Sequence, residues 1–281
     1  MRPERLGVIG LGAIGGSLAW QCMRAGVPHV IAHATSAEDV TGAVEAGAVT
    51  HVVDTPEDVI AECDLAVLAV PPSATLELLS RLAEPIRAHG VRVTDVCSVK
   101  RAVVDRAREL NLHSFFVGSH PFCGTHQSGF AGARDDLFRD SIVYVTPVNE
   151  GDQISQEIVT FWRDVLHASP VVMPAGPHDE MLAWTSHLPQ VVSSALAVAL
   201  AEGAPDGATY GTGARDTTRL AASNTTMWRD ILMLNRSPIE QSLDAFARSV
   251  DTLKRALADE DAAAVAQWLD RGAEFGRRLA E

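Results

Sequence analysis

Three groups of residues have types and spacings suited to chemistry. The first is Gly10-Leu11-Gly12-Ala13-Ile14-Gly15, a GxGxxG between an apolar run and a helical pattern. In such a turn the first glycine makes the tight bend and the second lets the backbone approach a pyrophosphate. The third packs helix on strand, and the helix N-terminus offers N–H groups and a positive dipole. The second group is a pair of polar segments after apolar runs, Asp95-Val96-Cys97-Ser98-Val99-Lys100 and Gly118-Ser119-His120-Pro121-Phe122-Cys123-Gly124-Thr125. The third lies downstream: Ser186-His187-Leu188-Pro189, Gly213 to Ala221 with Arg215, Asp216 and Arg219, and Met227-Trp228-Arg229-Asp230-Ile231.

Placing these groups requires strands and helices in alternation. Strands are expected over 6–10, 29–33, 65–70, 91–96, 115–118, 141–146 and 170–173, with a short extended piece at 52–53. Helices are expected over 15–26, 37–46, 73–89 and 100–110. Alternating apolar strands and helices predict a Rossmann-type, doubly wound and mostly parallel α/β sheet, which binds ligands at the carboxyl ends of its strands. Both polar segments then converge beside a nicotinamide. After Pro174-Ala175-Gly176-Pro177 only helical periodicity remains. Ser237-Pro238-Ile239-Glu240 reads as a helix start with Ser237 as N-cap. The expected organisation is a dinucleotide-binding domain over 1–176 and an all-α domain over 177–281. The helical half carries more apolar surface than it can cover alone, which predicts a homodimer through it.

The cofactor set expected from this reading is Gly10, Gly12, Ala13, Ile14 and Gly15, with Val70 and Pro71 at the end of a strand and Ser98 beside the nicotinamide. An NAD site usually sets an acid at the end of the second strand, on the ribose 2′-OH. Val30 to Ser36 contains none, and the first acid is Glu38. Nothing there repels a 2′-phosphate, and His33, Thr35 and Ser36 can hydrogen-bond one, although no arginine stands among them. NADP is slightly favoured over NAD.

Composition removes other classes. With 281 residues, 47% hydrophobic and 21% charged, the chain can bury a core and is not disordered. Its net charge of −13 makes it a poor partner for nucleic acid or an anionic membrane. No apolar run reaches the roughly 20 residues that span a bilayer. The first apolar run leads straight into the glycine turn, so it belongs to a fold and not to a leader. Cys22, Cys63, Cys97 and Cys123 are scattered without metal spacing, which fits a reducing cytoplasm and no structural metal.

Taken in order, GLGAIGGSLA, DVCSVK, GSHPFCG, SHLP, GARDTTRLA, MWRDI and the asparagine of LMLNR resemble the prephenate/arogenate dehydrogenase family. The resemblance runs from about Leu6 to the chain end and is weakest after residue 240. It implies oxidative decarboxylation of a cyclohexadienol, prephenate or L-arogenate, with hydride transfer to NAD(P) and aromatisation as the driving force. It places His120 as the neutral acceptor of the ring hydroxyl's hydrogen bond and Ser98 as its orienting partner. Arg219 would grip a substrate carboxylate as a fork. Ser186, His187, Gln190, Thr125 and Arg215 join the substrate set, with Asp216 supporting the grip.

Each residue also has a plainer reading. Ser98 could cap the helix that follows it, Arg219 could pair with Asp216, and Lys100 could serve a surface ion pair. Cys123 reads as a packing residue. Two motifs depart from the family pattern: SHLPQ puts Gln190 where many relatives carry histidine, and Phe122-Cys123 alters GSHPMAG. Gln190 leaves prephenate, arogenate and an amino-substituted analogue all open. The rivals are another Rossmann dehydrogenase with a helical domain and a non-catalytic NAD(P) sensor. The first relies on a lysine in the helical domain, and residues 178–253 contain none. The second has no use for Ser98, His120 and Arg219 together.

Overall fold

In a computed structural model, residues 2–124, 127–149 and 151–280 are described. Five apolar runs form strands β1 (Arg5–Ile9), β2 (His29–His33), β3 (His51–Val52), β4 (Leu65–Leu68) and β5 (Arg92–Asp95), followed by β6 (Phe116–Pro121), β7 (Ile142–Pro147) and β8 (Ser169–Val172). The sheet order is β3-β2-β1-β4-β5-β6-β7-β8. Every pair is parallel except β6 with β7, which is antiparallel and sets His120 opposite Tyr144.

The central strands β1, β2 and β4 are largely apolar because both faces are covered. Leu6, Val8, Val30, Ala32, Leu65 and Val67 point into one core with Leu18, Phe138, Phe161 and Trp162. The alternate residues Ile9, Ile31, Ala66 and Leu68 point into the other, with Ile60, Leu79, Leu82 and Ile86. The helices between strands are α1 (Ala13–Arg24), α2 (Ala37–Glu45), α3 (Pro56–Glu62), α4 (Pro72–His89), α5 (Arg101–Glu109) and α6 (Gln153–Thr160). Helix α3 was not anticipated, although Thr55 and Asp58 form a capping box and Pro56 opens it. Strand β6 runs further than expected, so His120 stands in a strand end and not in the loop beyond it.

The remaining helices are α7 (Ala175–Leu182), α8 (Leu188–Gly203), α9 (Thr212–Thr218), α10 (Thr225–Leu234), α11 (Arg236–Ala258) and α12 (Ala262–Ala280). By packing, residues 1–182 with 223–235 form one unit, and residues 183–222 with 236–281 form a second. Helix α7, which spans residue 176, and α10, which follows it, thus both pack with the sheet. Asp230 of α10 accepts a hydrogen bond from Ser73 in the first turn of α4. Helix α11 starts at Arg236, so Ser237 lies inside it and does not cap it. Asn235 alone separates it from α10, and its side chain donates to the Asp179 carbonyl at 2.8 Å. No described helix is long and apolar enough to cross a membrane.

Candidate active site

The chain passes from β1 outward to β2 and β3, then returns to β1's other side at β4. Such a reversal opens a crevice at the carboxyl ends of the two central strands. Gly10 sits there at φ 101°, in the left-handed region. A Cβ on Gly15 would lie 2.0 Å from the Gly10 carbonyl oxygen, so only glycine permits this approach of helix to strand. A Cβ on Gly12 would meet nothing within 4 Å, so the space above the helix start is open. Gly12 is the N-cap of α1, no side chain caps that helix, and its first turn holds no acid. The N–H groups of Ala13, Ile14 and their neighbours are thus left for a ligand, which fits a dinucleotide pyrophosphate.

At the end of β2, His33 Nδ1 lies 3.2 Å from the Val53 carbonyl oxygen. Ser36 Oγ caps α2 by accepting from Asp39 N at 3.2 Å, and Thr35 is exposed. The carboxylate of Asp39 accepts from Phe130 N at 2.6 Å. Across the crevice Val70 is half-buried, and exposed Pro71 precedes α4 without a side-chain cap.

The chemistry-bearing end of β6 is tied to α7. His120 Nδ1 lies 2.9 Å from His178 Nε2, and His178 Nδ1 lies 2.7 Å from Asp179 Oδ1. Asp179 Oδ1 also accepts from Lys100 N at 2.8 Å, and its Oδ2 from Arg101 N at 2.9 Å. Asp179, not Ser98, therefore caps α5. The direction of every hydrogen bond follows from that end. A carboxylate only accepts, so His178 Nδ1 carries the hydrogen and its Nε2 the lone pair. That lone pair takes the hydrogen of His120 Nδ1. His120 is left with its lone pair on Nε2, the tautomer of a hydrogen-bond acceptor or general base. His120, His178 and Asp179 are all buried. Phe122 and Tyr144 flank the His120 ring at centroid distances of 6.0 and 6.1 Å.

Ser98 is half-buried, and its hydroxyl makes no hydrogen bond among the described residues. Lys100 is no surface residue: it is 0% exposed and ion-paired to Asp95, also 0% exposed. Burial pushes the Cys97 thiol up, with Asp95 adding to the effect. Thr125 lies outside the described residues.

In the second unit, Ala183–His187 forms a π-turn. Pro189 at the start of α8 has no N–H to continue the regular ladder, which accounts for the wider turn. His187 and Gln190 are buried and Ser186 half-buried. Gln190 Nε2 donates to the Leu220 carbonyl at 2.7 Å, which turns the amide oxygen away from that carbonyl. Arg215 and Arg219 stand one helical turn apart and are exposed. Arg219 does not pair with Asp216 among the described residues.

The structure thus brings His120 together with two residues that sequence reasoning missed, His178 and Asp179. The available signal was the adjacent His-Asp pair at a helix start, where the acid can serve its neighbour's ring.

Residues 19–169 match the family described as prephenate dehydrogenase, nucleotide-binding domain, and residues 174–271 that described as prephenate dehydrogenase, dimerization domain. The chain is 32% identical to a prephenate dehydrogenase of Bacillus subtilis over 260 residues, covering 90% of this chain and 70% of the relative. A solved prephenate dehydrogenase of Aquifex aeolicus, in complex with hydroxyphenyl propionate and NAD+, has TM-score 0.85 and 26% identity over 99% of this chain and 98% of that one. The Synechocystis arogenate dehydrogenase has TM-score 0.79 and 27% identity over 98% of this chain and 99% of that one. The chain belongs to the prephenate dehydrogenase family.

Proposed function

We propose that this chain oxidises prephenate or L-arogenate with hydride transfer to NAD(P) and loss of CO2, giving 4-hydroxyphenylpyruvate or L-tyrosine. The observation that carries this reading is the hydrogen-bond chain from Asp179 through His178, which leaves the lone pair of His120 on Nε2. When bound, the nicotinamide takes the hydride from the hydroxyl-bearing ring carbon.

This chain's residues handle the rest. His120 Nε2 accepts the hydroxyl hydrogen as C–O gains double-bond character. The bond to the ring carboxylate then breaks, its electron pair aromatises the ring, and the oxygen recovers its proton from His120. Hydride and CO2 leave and no net proton is released, so His120 ends neutral, as it began. Ser98 orients the same hydroxyl. Gly10, Gly12, Ala13, Ile14 and Gly15 hold the pyrophosphate, with Val70 and Pro71 beside it. Ser186, His187, Gln190, Thr125, Arg215 and Arg219 form the substrate set, and the exposed guanidiniums of Arg215 and Arg219 support anion binding. At the end of β2, His33, Thr35 and Ser36 favour NADP slightly over NAD, since no acid stands among them.

Gln190 supports a place for arogenate, because an amide oxygen can accept from a substrate ammonium as well as its NH2 can donate to a keto oxygen. The apolar side chains exposed on α11 and α12, Phe246, Val250, Leu257, Leu269, Phe275 and Leu279, support a homodimer through the helical half.

The test is absorbance at 340 nm in a grid of prephenate or arogenate against NAD or NADP, repeated with His120→Asn. Growth in at least one well for wild type, and a fall of about 10²-fold or more in the variant with cofactor affinity unchanged, is expected. Equal turnover in both proteins would remove His120 from the chemistry.

A further inference from the structure

The mechanism above leaves one buried ion pair unused. Lys100 and Asp95 are both wholly buried, which is costly for two charges unless something else is gained. An apolar pair of similar volume would usually hold a sheet as well or better. What this pair does instead is close on a single residue. Asp95 Oδ1 accepts from Ser119 N at 3.0 Å, and Lys100 Nζ donates to the Ser119 carbonyl at 2.7 Å. Asp95 Oδ2 takes the Lys100 ammonium and Cys97 N, the latter at 3.0 Å. The Ser119 hydroxyl is also held, 2.7 Å from Thr94 Oγ1 and 2.9 Å from Trp162 Nε1.

The reason lies in the sheet. The parallel ladder between β5 and β6 ends at Thr94 with Val117, two residues short of Ser119. Beyond it the strands separate, as they must for the Ser98 and His120 segments to part around a ligand. Ser119 would there lose its main-chain partners, and Asp95 with Lys100 supply both of them from side chains. The peptide that enters His120 is thereby held from the β5 side, while β7 holds the strand from the other.

The geometry points to Asp95 and Lys100 as positioning residues that act through the Ser119 peptide to hold His120 in register with His178. This rests on the assignment of His120 as the base. Neither residue touches substrate or cofactor in this role.

The experiment is a double-mutant cycle in the full chain, combining Asp95→Asn/Lys100→Met, which removes both charges together, with His120→Asn. Turnover is followed at 340 nm, cofactor affinity by fluorescence, and fold by circular dichroism. The expected result is a folded D95N/K100M protein with cofactor affinity and substrate KM within about threefold of wild type and kcat lower by about 10²-fold, the scale of a small misplacement. In the His120→Asn background the same pair of changes should cost nothing further, because the group they position is gone. Asp95→Asn/Lys100→Gln, which keeps a donor for the Ser119 carbonyl without leaving Asp95 charged and unpaired, should recover part of the loss. Equal losses in both backgrounds would overturn the proposal, since the pair would then act elsewhere. Failure of both variants to fold would overturn it too, by assigning the pair to stability. A His120→Asn protein as fast as wild type would instead bring down the functional reading, and this proposal with it.

Discussion

Asp179 fixes the polarity of the chain that ends on His120, and its substitution should produce a graded loss. Its Oδ1 serves both His178 Nδ1 and Lys100 N, at 2.7 and 2.8 Å, while Oδ2 serves Arg101 N alone, at 2.9 Å. In Asp179→Asn the amide oxygen satisfies most donors at the Oδ1 position. There it keeps His178 in the same tautomer and leaves only Arg101 N facing an NH2. What is lost is the charge. Hydrogen bonds to an ionised group contribute about 1.5–3 kcal/mol against about 1 for neutral ones, so some 1–2 kcal/mol of support for the imidazolium goes, or about 5- to 30-fold in kcat. Asp179→Ala leaves no acceptor. His178 is then free to turn its hydrogen to either nitrogen, and the general-base contribution of about 10²- to 10⁴-fold is at stake. That variant also orphans two N–H groups at the start of α5, at about 1–3 kcal/mol each in stability. The assay is initial rate at 340 nm at saturating substrate, with cofactor affinity measured separately to show that the sheet is intact. A folded Asp179→Ala protein within threefold of wild-type kcat would refute the reasoning. So would Asp179→Asn as slow as Asp179→Ala, since charge alone would then explain both.

Three further outcomes are expected. Arg219→Lys keeps the charge but loses the planar fork, so substrate KM should rise about 10-fold or more with kcat nearly unchanged; an unaltered KM would place Arg219 outside the substrate set. Burial pushes the Cys123 thiol up to about 11, so it stays protonated near neutrality. Cys123→Ala should turn over at the wild-type rate and iodoacetamide should inactivate the wild type slowly, whereas rapid inactivation relieved by the substitution would contradict this. Asp230 is held below the usual carboxylate range by the Ser73 hydroxyl and then by Arg229. Its contribution is therefore present above the unfolded value near 4 and is lost as pH falls through the lower folded one. Asp230→Asn should melt below wild type at pH 7, with the gap closing under about pH 4; a gap constant with pH would deny the linkage.

How much of this could be read from the chain depends on how local each feature is. The glycine turn, β2 over His29–His33 and the strand at Leu65 follow from contiguous residues, and the mostly parallel character of the sheet follows from alternation, whereas the strand order does not. Helix α3 is only seven residues long, with too few turns for its apolar spacing to stand out, although its cap was written in Thr55 and Asp58. The extension of β6 through Pro121 depends on β7 pairing beside it, with Pro121 opposite Val143, 22 positions downstream (counting from 121 to 143). His178 and Asp179 escaped notice because their partners are remote: His120 lies 58 positions away, and Lys100 lies 79. A lone His-Asp pair at a helix start has many uses, and only the fold selects this one.

Two imidazoles in series suit a reaction that borrows a proton and returns it. A base that discharged its proton to solvent would need a route out and a second source for reprotonation. Here the far end of the chain is closed, because Asp179 is buried and both its oxygens accept from the start of α5. On the proposed reading, a proton taken by His120 Nε2 is stabilised as positive charge against Asp179 through His178 and remains facing the atom it came from. On the proposed reading the same closed end also bears on how a chain of net charge −13 can take an anionic substrate. Asp179 has its oxygens committed to N–H donors, so on the proposed reading the site meets the substrate with a neutral ring, and Arg215 and Arg219 are the residues proposed to answer its carboxylates.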